Sequence, residues 1–192
     1  MPDRPTHILK SRCACGGVAY EAIGAPIASV LCYCASCQEA GRAFAQLPAA
    51  PPLLEPDGGT AVIMFRKDRV RCLRGREQLE ERRLKPDSPT RRVVATCCNS
   101  PMFLDFTKGH WLSMYRRRFP ADAPEIEMRI MTKDRRAETA LDDKALNYRG
   151  HSGKFMMKLL AARIAMGLRS PNFDDGTRRD SERQTDDDAH IS

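Results

Sequence analysis

Nothing in this chain of 192 residues stays apolar for long. The opening residues, Met1 to Lys10, lack the apolar core that a secretory leader requires. The longest apolar stretch, Phe155 to Leu168, is short and interrupted by Lys158 and Arg163, so no transmembrane segment is expected. The expectation is therefore a cytoplasmic protein, in a compartment where thiols stay reduced and favour metal over disulfides. Aromatic residues make up only 6% of the chain, with a single tryptophan. No groove-reading nucleic-acid motif and no internal repeat beyond the cysteine pairs is visible. The four histidines, His7, His110, His151 and His190, are scattered and read as surface or internally satisfied residues rather than ligands.

Apolar residues make up 42% of the chain, an ordinary globular share, so disorder throughout is excluded. The net charge of +7 is unevenly spread. Residues 171–192 hold seven acids against three arginines, a charge of −4 that leaves +11 on residues 1–170. A basic body suits anionic ligands, from the carboxylates of a peptide to a phosphate backbone.

Cysteine is abundant and clustered. Cys13 and Cys15 form one pair, Cys32, Cys34 and Cys37 a second group, and Cys97–Cys98 follow far downstream. Residues i and i+2 of an extended chain face the same way, so each Cys-x-Cys pair can offer two thiolates to one ion. A turn at Ala35–Ser36 would bring in Cys37 as a third ligand, with no fourth close by. Structural zinc sites are closed by four protein ligands, whereas catalytic ones keep a position open. The local set of three is thus a candidate open site. The pair Cys13 and Cys15 needs distant partners, and Cys97–Cys98 is the natural donor, joining the start of the chain to later sequence. Cys72 reads as a free buried thiol.

The periodicity is that of a small β-rich fold. Strands are expected over 18–23, 27–32, 60–65, 91–96, 102–106 and 111–115, with a proline-rich loop over 48–59. Ile126, Met128 and Ile130 mark one more strand. From 153 to 169, Phe155, Met156, Leu159, Leu160, Ile164 and Leu168 recur at helical spacing, a stripe expected to dock on its own core or to serve a homo-oligomer or a membrane contact. Trp111 and Phe103 read as core. The expected organisation is a zinc-binding domain over 8–120, an extension with a strand and an amphipathic helix over 121–170, and a disordered acidic tail over 171–192.

At Cys13-x-Cys15-Gly16, Cys32-x-Cys34-x-x-Cys37 and Cys98-Asn99-Ser100-Pro101 the chain resembles the glutathione-dependent formaldehyde-activating enzyme family, which also includes centromere protein V. The resemblance covers roughly residues 8–120. It implies a mainly β, β-tent-like fold with a C-terminal helical extension and two zinc ions. Carried over, Cys13, Cys15 and Cys98 belong to a structural site and Cys32, Cys34 and Cys37 to an open one. The chain departs from the family in three places: Ala95 stands where the late knuckle has its first cysteine, Asn99 replaces the knuckle glycine, and Tyr33 stands where many members have histidine. Adjacent strand residues face opposite ways, so Cys97 can complete the structural site only if the knuckle is kinked; Cys72 or water is the alternative.

The activity implied is carbon–sulfur lyase chemistry, the joining of glutathione or another small thiol to formaldehyde or a related aldehyde, or its reverse. Zinc with an open position deprotonates a bound thiol, and three thiolates already on the ion weaken its Lewis acidity and favour thiolate delivery. Arginine clamps for the carboxylates of glutathione are expected between Arg66 and Arg92 or among Arg116, Arg117 and Arg118. The alternative is a non-catalytic zinc module whose basic surface, with 11 cations against five acids between Arg66 and Arg92, contacts nucleic acid or a protein partner.

Overall fold

Twelve strands lie among the described residues, several of them short apolar runs punctuated by turns: β1 (Ile8–Arg12), β2 (Ala19–Ile23), β3 (Ala28–Cys32), β4 (Thr60–Arg66), β5 (Val70–Arg74), β6 (Leu79–Arg82), β7 (Thr90–Ala95), β8 (Ser100–Phe106), β9 (Trp111–Tyr115), β10 (Met128–Ile130), β11 (Leu146–Asn147) and β12 (Arg178–Arg179). Two helices join them, α1 (Ala35–Phe44) and α2 (Gly153–Ala165). The computed structural model describes residues 7–136, 140–142, 144–171 and 173, and the backbone of 178–179. Most of the expected acidic tail lies outside the described residues. The fold is mainly β, as the periodicity implied.

The strands form a small sheet, β1-β2-β5, and a nine-stranded sheet in the order β11-β10-β3-β4-β9-β8-β7-β6-β12. Pairing is antiparallel except where β10 joins β3 and β11, and where β12 joins β6. Residues 60–65 read as one continuous apolar run because both faces of β4 are covered. Ile63 and Phe65 pack with Tyr20 and Ala22 of the small sheet. Val62 and Met64 face the opposite layer, with Ala40 and Phe44 of α1 and Phe155 and Leu159 of α2.

Four features differ from expectation. The turn expected at Ala35–Ser36 is the start of α1, capped by Cys34, so Cys37 arrives on a helical turn. Residue 41 of that helix is glycine at a close approach, where a Cβ would stand 2.3 Å from Cγ of Leu54 in the 48–59 loop and the Leu54 side chain would have to shift. Strands β1, β5, β6, β11 and β12 were not expected, and charged residues break the apolar patterns of β5 and β6. The apolar stripe of α2 docks only in part: Phe155 and Leu159 are buried, whereas Met156, Leu160, Ile164 and Leu168 are exposed. Buried His110 fastens this helix, its Nε2 standing 2.8 Å from the Leu159 carbonyl oxygen. Phe103 is core, but Trp111 sits at the margin against Phe106 and His110.

Candidate metal centres

The end of β1 and the turn after β7 meet at the first centre. Cys13, Cys15, Cys97 and Cys98 place their Sγ atoms within 4.8 Å of one another. Individual separations are 3.5 Å for Cys13–Cys15, 3.3 Å for Cys15–Cys97, 3.8 Å for Cys13–Cys97 and 3.9 Å for Cys97–Cys98. Four sulfurs bound tetrahedrally at zinc–thiolate length stand about 3.8 Å apart, so the donor set fits the ion.

The knuckle is kinked, which answers the question posed by the adjacent cysteines. Strand β7 stops at Ala95, and the chain then turns, with Asn99 at φ 49°. Asparagine tolerates that left-handed conformation, and strand alternation no longer constrains Cys97. Gly17 leaves room for the sulfurs, since a Cβ there would lie 3.3 Å from the Cys97 Sγ. The Ser100 hydroxyl accepts from the Ala14 backbone N–H at 3.0 Å and stands 3.1 Å from the Cys98 Sγ, tying the two halves together. Cys72 is outside the group, its thiol directed at the Arg74 and Ala19 carbonyls.

The first centre already favours ionisation at one sulfur. Burial pushes Cys13 up, and burial with the neighbouring Cys15 and Cys13 thiols pushes Cys97 up. At Cys98 the burial penalty is outweighed by hydrogen bonds from Ser100 and Cys15, which bring it down to about 6.

The second centre is local. Cys32 ends β3, Cys34 caps α1 and Cys37 lies in its first turn, and their Sγ atoms also fall within 4.8 Å of one another. Among the described residues no fourth cysteine, histidine or carboxylate joins them. Hydrogen bonds from Cys32 and then Cys37 hold Cys34 far below the usual thiol range, and the Arg92 charge adds to this. The same bonds push Cys32 up to about 12 and Cys37 well above its ordinary value. A metal-free centre thus carries one thiolate shared by three sulfurs, and a cation must displace the remaining protons. The three donors fit zinc with one coordination position left to a further ligand.

Arg92 is the neighbour that sequence reasoning left unsingled among the arginines. It is 2% exposed, and its Nη2 donates to the Ser36 hydroxyl at 2.7 Å and to the Ser36 carbonyl at 3.2 Å. Tyr115, wholly buried, stands beside both Arg92 and Cys37. The signal was strand alternation: Arg91 faces the Asp105 side of β7, with Nε 2.9 Å from Oδ2, and Arg92 must therefore face α1. Of the other expected clamps, Arg117 pairs with Glu55 at 2.7 Å, and Arg116 donates to the Ala123 and Pro124 carbonyls at 2.9 Å. Tyr33, at the variable position, is buried and donates to Asp57 at 2.6 Å on the side of β3 away from the thiols.

No functionally curated protein matches the chain. Among solved structures, a Rhodobacter sphaeroides protein is similar at 15% identity and a TM-score of 0.43, over 61% of this chain and 96% of its own. The sequence profile of the glutathione-dependent formaldehyde-activating enzyme family matches residues 8–51, less than a quarter of the chain but including five of the seven clustered cysteines. Over residues 8–51, which hold Cys13, Cys15 and the three cysteines of the second centre, the chain is therefore similar to the glutathione-dependent formaldehyde-activating enzyme family.

Proposed function

We propose that the chain is a two-zinc carbon–sulfur lyase that adds glutathione, or a similar small thiol, to formaldehyde or a related aldehyde and catalyses the reverse. The observation that carries this reading is the inequality of the two centres, four thiols in one and three in the other. In the forward direction a bond forms between the thiol sulfur and the aldehyde carbon, and the thiol proton ends on the former carbonyl oxygen. Cys32, Cys34 and Cys37 would hold zinc at the three-thiol centre, where the ion would acidify a fourth, exogenous thiol. Cys32, Cys34 and Cys37 fix three donor positions from a strand end and one helical turn, which leaves the remaining side for substrate. Arg92, anchored on Ser36, lends positive charge to a site whose ligands are all anionic when ionised.

The cations between Arg66 and Arg92 support a nucleic-acid surface less well than their number suggests. Arg66 pairs with Asp68 at 2.5 Å, Lys67 with Asp105 at 2.9 Å, Arg71 with Glu21, Arg82 with Glu80 at 2.5 Å, Arg83 with Glu81 at 2.6 Å and Arg91 with Asp105 at 2.9 Å. Charges neutralised within the protein contribute little to counterion release from a phosphate backbone.

The test combines elemental mass spectrometry of untagged protein with exchange NMR of glutathione and formaldehyde. Wild type should carry two zinc ions and accelerate formation of S-hydroxymethylglutathione, and Cys37→Ser should carry one and lose the acceleration. A metal-free wild type, or a Cys37→Ser variant as fast as wild type, overturns the reading.

A further inference from the structure

Helix α2 is apolar on two faces. Phe155 and Leu159 point into the core, where His110 Nε2 meets the Leu159 carbonyl oxygen at 2.8 Å. At about 100° per residue, Met156, Met157, Leu160 and Ile164 fall on a second stripe, centred about 130° around the helix from the first. These four are 46–63% exposed, and Leu168, at 63%, extends the stripe past the helix end. Five of the eight large apolar side chains exposed among the described residues are thus gathered on one helix and its exit. A helix apolar all round is ordinarily buried all round, so this one lacks a cover on its outer side.

Beside the stripe runs a groove of about 290 Å³, between α2 and the turn joining β8 to β9. Phe106 and Trp111 line it from the sheet, Met156 and Leu160 from the helix. Lys108 and Arg163 are the charged side chains of its lining, and no carboxylate joins them. The charge around the stripe has one sign. Residues 149–170 hold Arg149, Lys154, Lys158, Arg163 and Arg169 and no acid. Lys154 and Arg163 flank the stripe on either side. Of the five cations, only Lys158 has a carboxylate partner among the described residues, Glu127 at 2.8 Å.

That combination decides between the covers available. A second copy related by a two-fold axis would set Lys154 and Arg163 against their own kind, with no acid on the helix to answer them. The acidic end of the same chain has the right charge, but residues 174–192 offer only Ala189 and Ile191 as apolar side chains. A membrane of anionic phospholipid supplies both an apolar interior and a negative surface. We propose that the outer face of α2 and the adjoining groove are a docking surface for an anionic bilayer, on which the helix lies flat. Met156, Met157, Leu160, Ile164 and Leu168 enter the acyl region, while Lys108, Lys154, Arg163 and Arg169 meet the lipid phosphates. Half-buried Trp111, in the groove, stands ready for the headgroup boundary that indole favours. The contact is peripheral: α2 has 13 residues, about 20 Å of helix, and Phe155 and Leu159 stay in the core. This surface is independent of the chemistry at the thiol centres.

Sedimentation of the full chain with sucrose-loaded vesicles tests this, comparing phosphatidylcholine alone with phosphatidylcholine mixed with phosphatidylserine. Binding to the anionic vesicles should be at least about tenfold stronger and should fall as salt is raised. Leu160→Glu should weaken it at least about tenfold, and Met157→Glu carries the decision if Leu160→Glu fails to fold. Lys154→Gln combined with Arg163→Gln should weaken it by about tenfold or more. Lys10→Gln combined with Lys85→Gln removes equal charge from exposed positions elsewhere and should leave binding within about twofold. Anionic vesicles that leave the wild type in solution overturn the proposal. Equal losses in the two charge pairs also overturn it, since net charge would then account for the binding. Analytical ultracentrifugation without lipid decides the remaining alternative: a wild-type dimer that Leu160→Glu breaks would assign the face to a second copy and overturn the membrane reading.

Discussion

The two thiol centres use the same chemistry for opposite ends. One draws Cys13 and Cys15 together with Cys97 and Cys98, four donors from segments more than eighty residues apart. The other takes Cys32, Cys34 and Cys37 from a single strand-to-helix junction and stops at three. An ion held by all four would have its whole coordination sphere taken up in joining β1 to the end of β7. An ion held by three would keep one position for chemistry, and such a set asks less of the fold because its thiols are already neighbours in sequence.

Breaking the four-thiol centre should have the largest structural effect. Cys13→Ser is expected to cost about 3–5 kcal/mol, a fall of roughly 10 °C or more in Tm, since structural zinc binding is itself folding free energy. Thermal melts of the zinc-loaded variant check this, and a Tm within 2 °C of wild type would remove the structural role. Cys37→Ser should do the reverse, lowering turnover by at least about 100-fold while shifting Tm by a few degrees. If both variants melted alike, the division of labour between the centres would be wrong.

Acidity sharpens the contrast further. Cys32 lies near 12 and Cys37 well above its ordinary value in the metal-free protein, whereas Cys34 is already ionised. Zinc binding at the three-thiol centre therefore releases two protons near neutral pH, and apparent affinity should rise about 100-fold per pH unit. Competition with a chromophoric chelator between pH 6 and 8, using Cys13→Ser to isolate this centre, reads that slope directly. A flat profile would mean that the three sulfurs are not the ligands. The smallest effect expected is at Gly41→Ala, where a Cβ would meet Leu54 at 2.3 Å. Overpacking of this kind costs about 1–3 kcal/mol. Because α1 carries Cys37, activity should fall before the four-thiol centre loses metal, and loss of zinc from the latter first would reverse the comparison.

The two thiol groups were legible because the spacing of clustered cysteines is written directly in sequence. Cys97 was harder, since its use depends on a positive φ at Asn99, which sequence permits without requiring. Helix α1 was read as a turn because its ten residues are few and carry Gly41, and its stability comes from packing against Leu54 and the β3–β4 layer rather than from propensity. Arg92 lay hidden among many arginines, where charge count says nothing about which one enters the interior. The stripe on α2 misled in the opposite direction: its period was correct, yet tertiary packing covers only Phe155 and Leu159.

The separation of Cys13 from Cys97 by 84 positions bears on how a newly made chain takes up its metals. Closing so long a loop costs roughly 2.5 kcal/mol more chain entropy than closing one of about five residues. The triad at Cys32, Cys34 and Cys37 is therefore able to capture an ion while the chain is still unfolded, and the four-thiol centre only after the ends of β1 and β7 have met. Zinc supplied to chain held in urea should accordingly load one equivalent, with the second entering on refolding. Uptake of both at once would show that assembly has no such order; a fixed order would make the working centre the first part of the protein to be assembled.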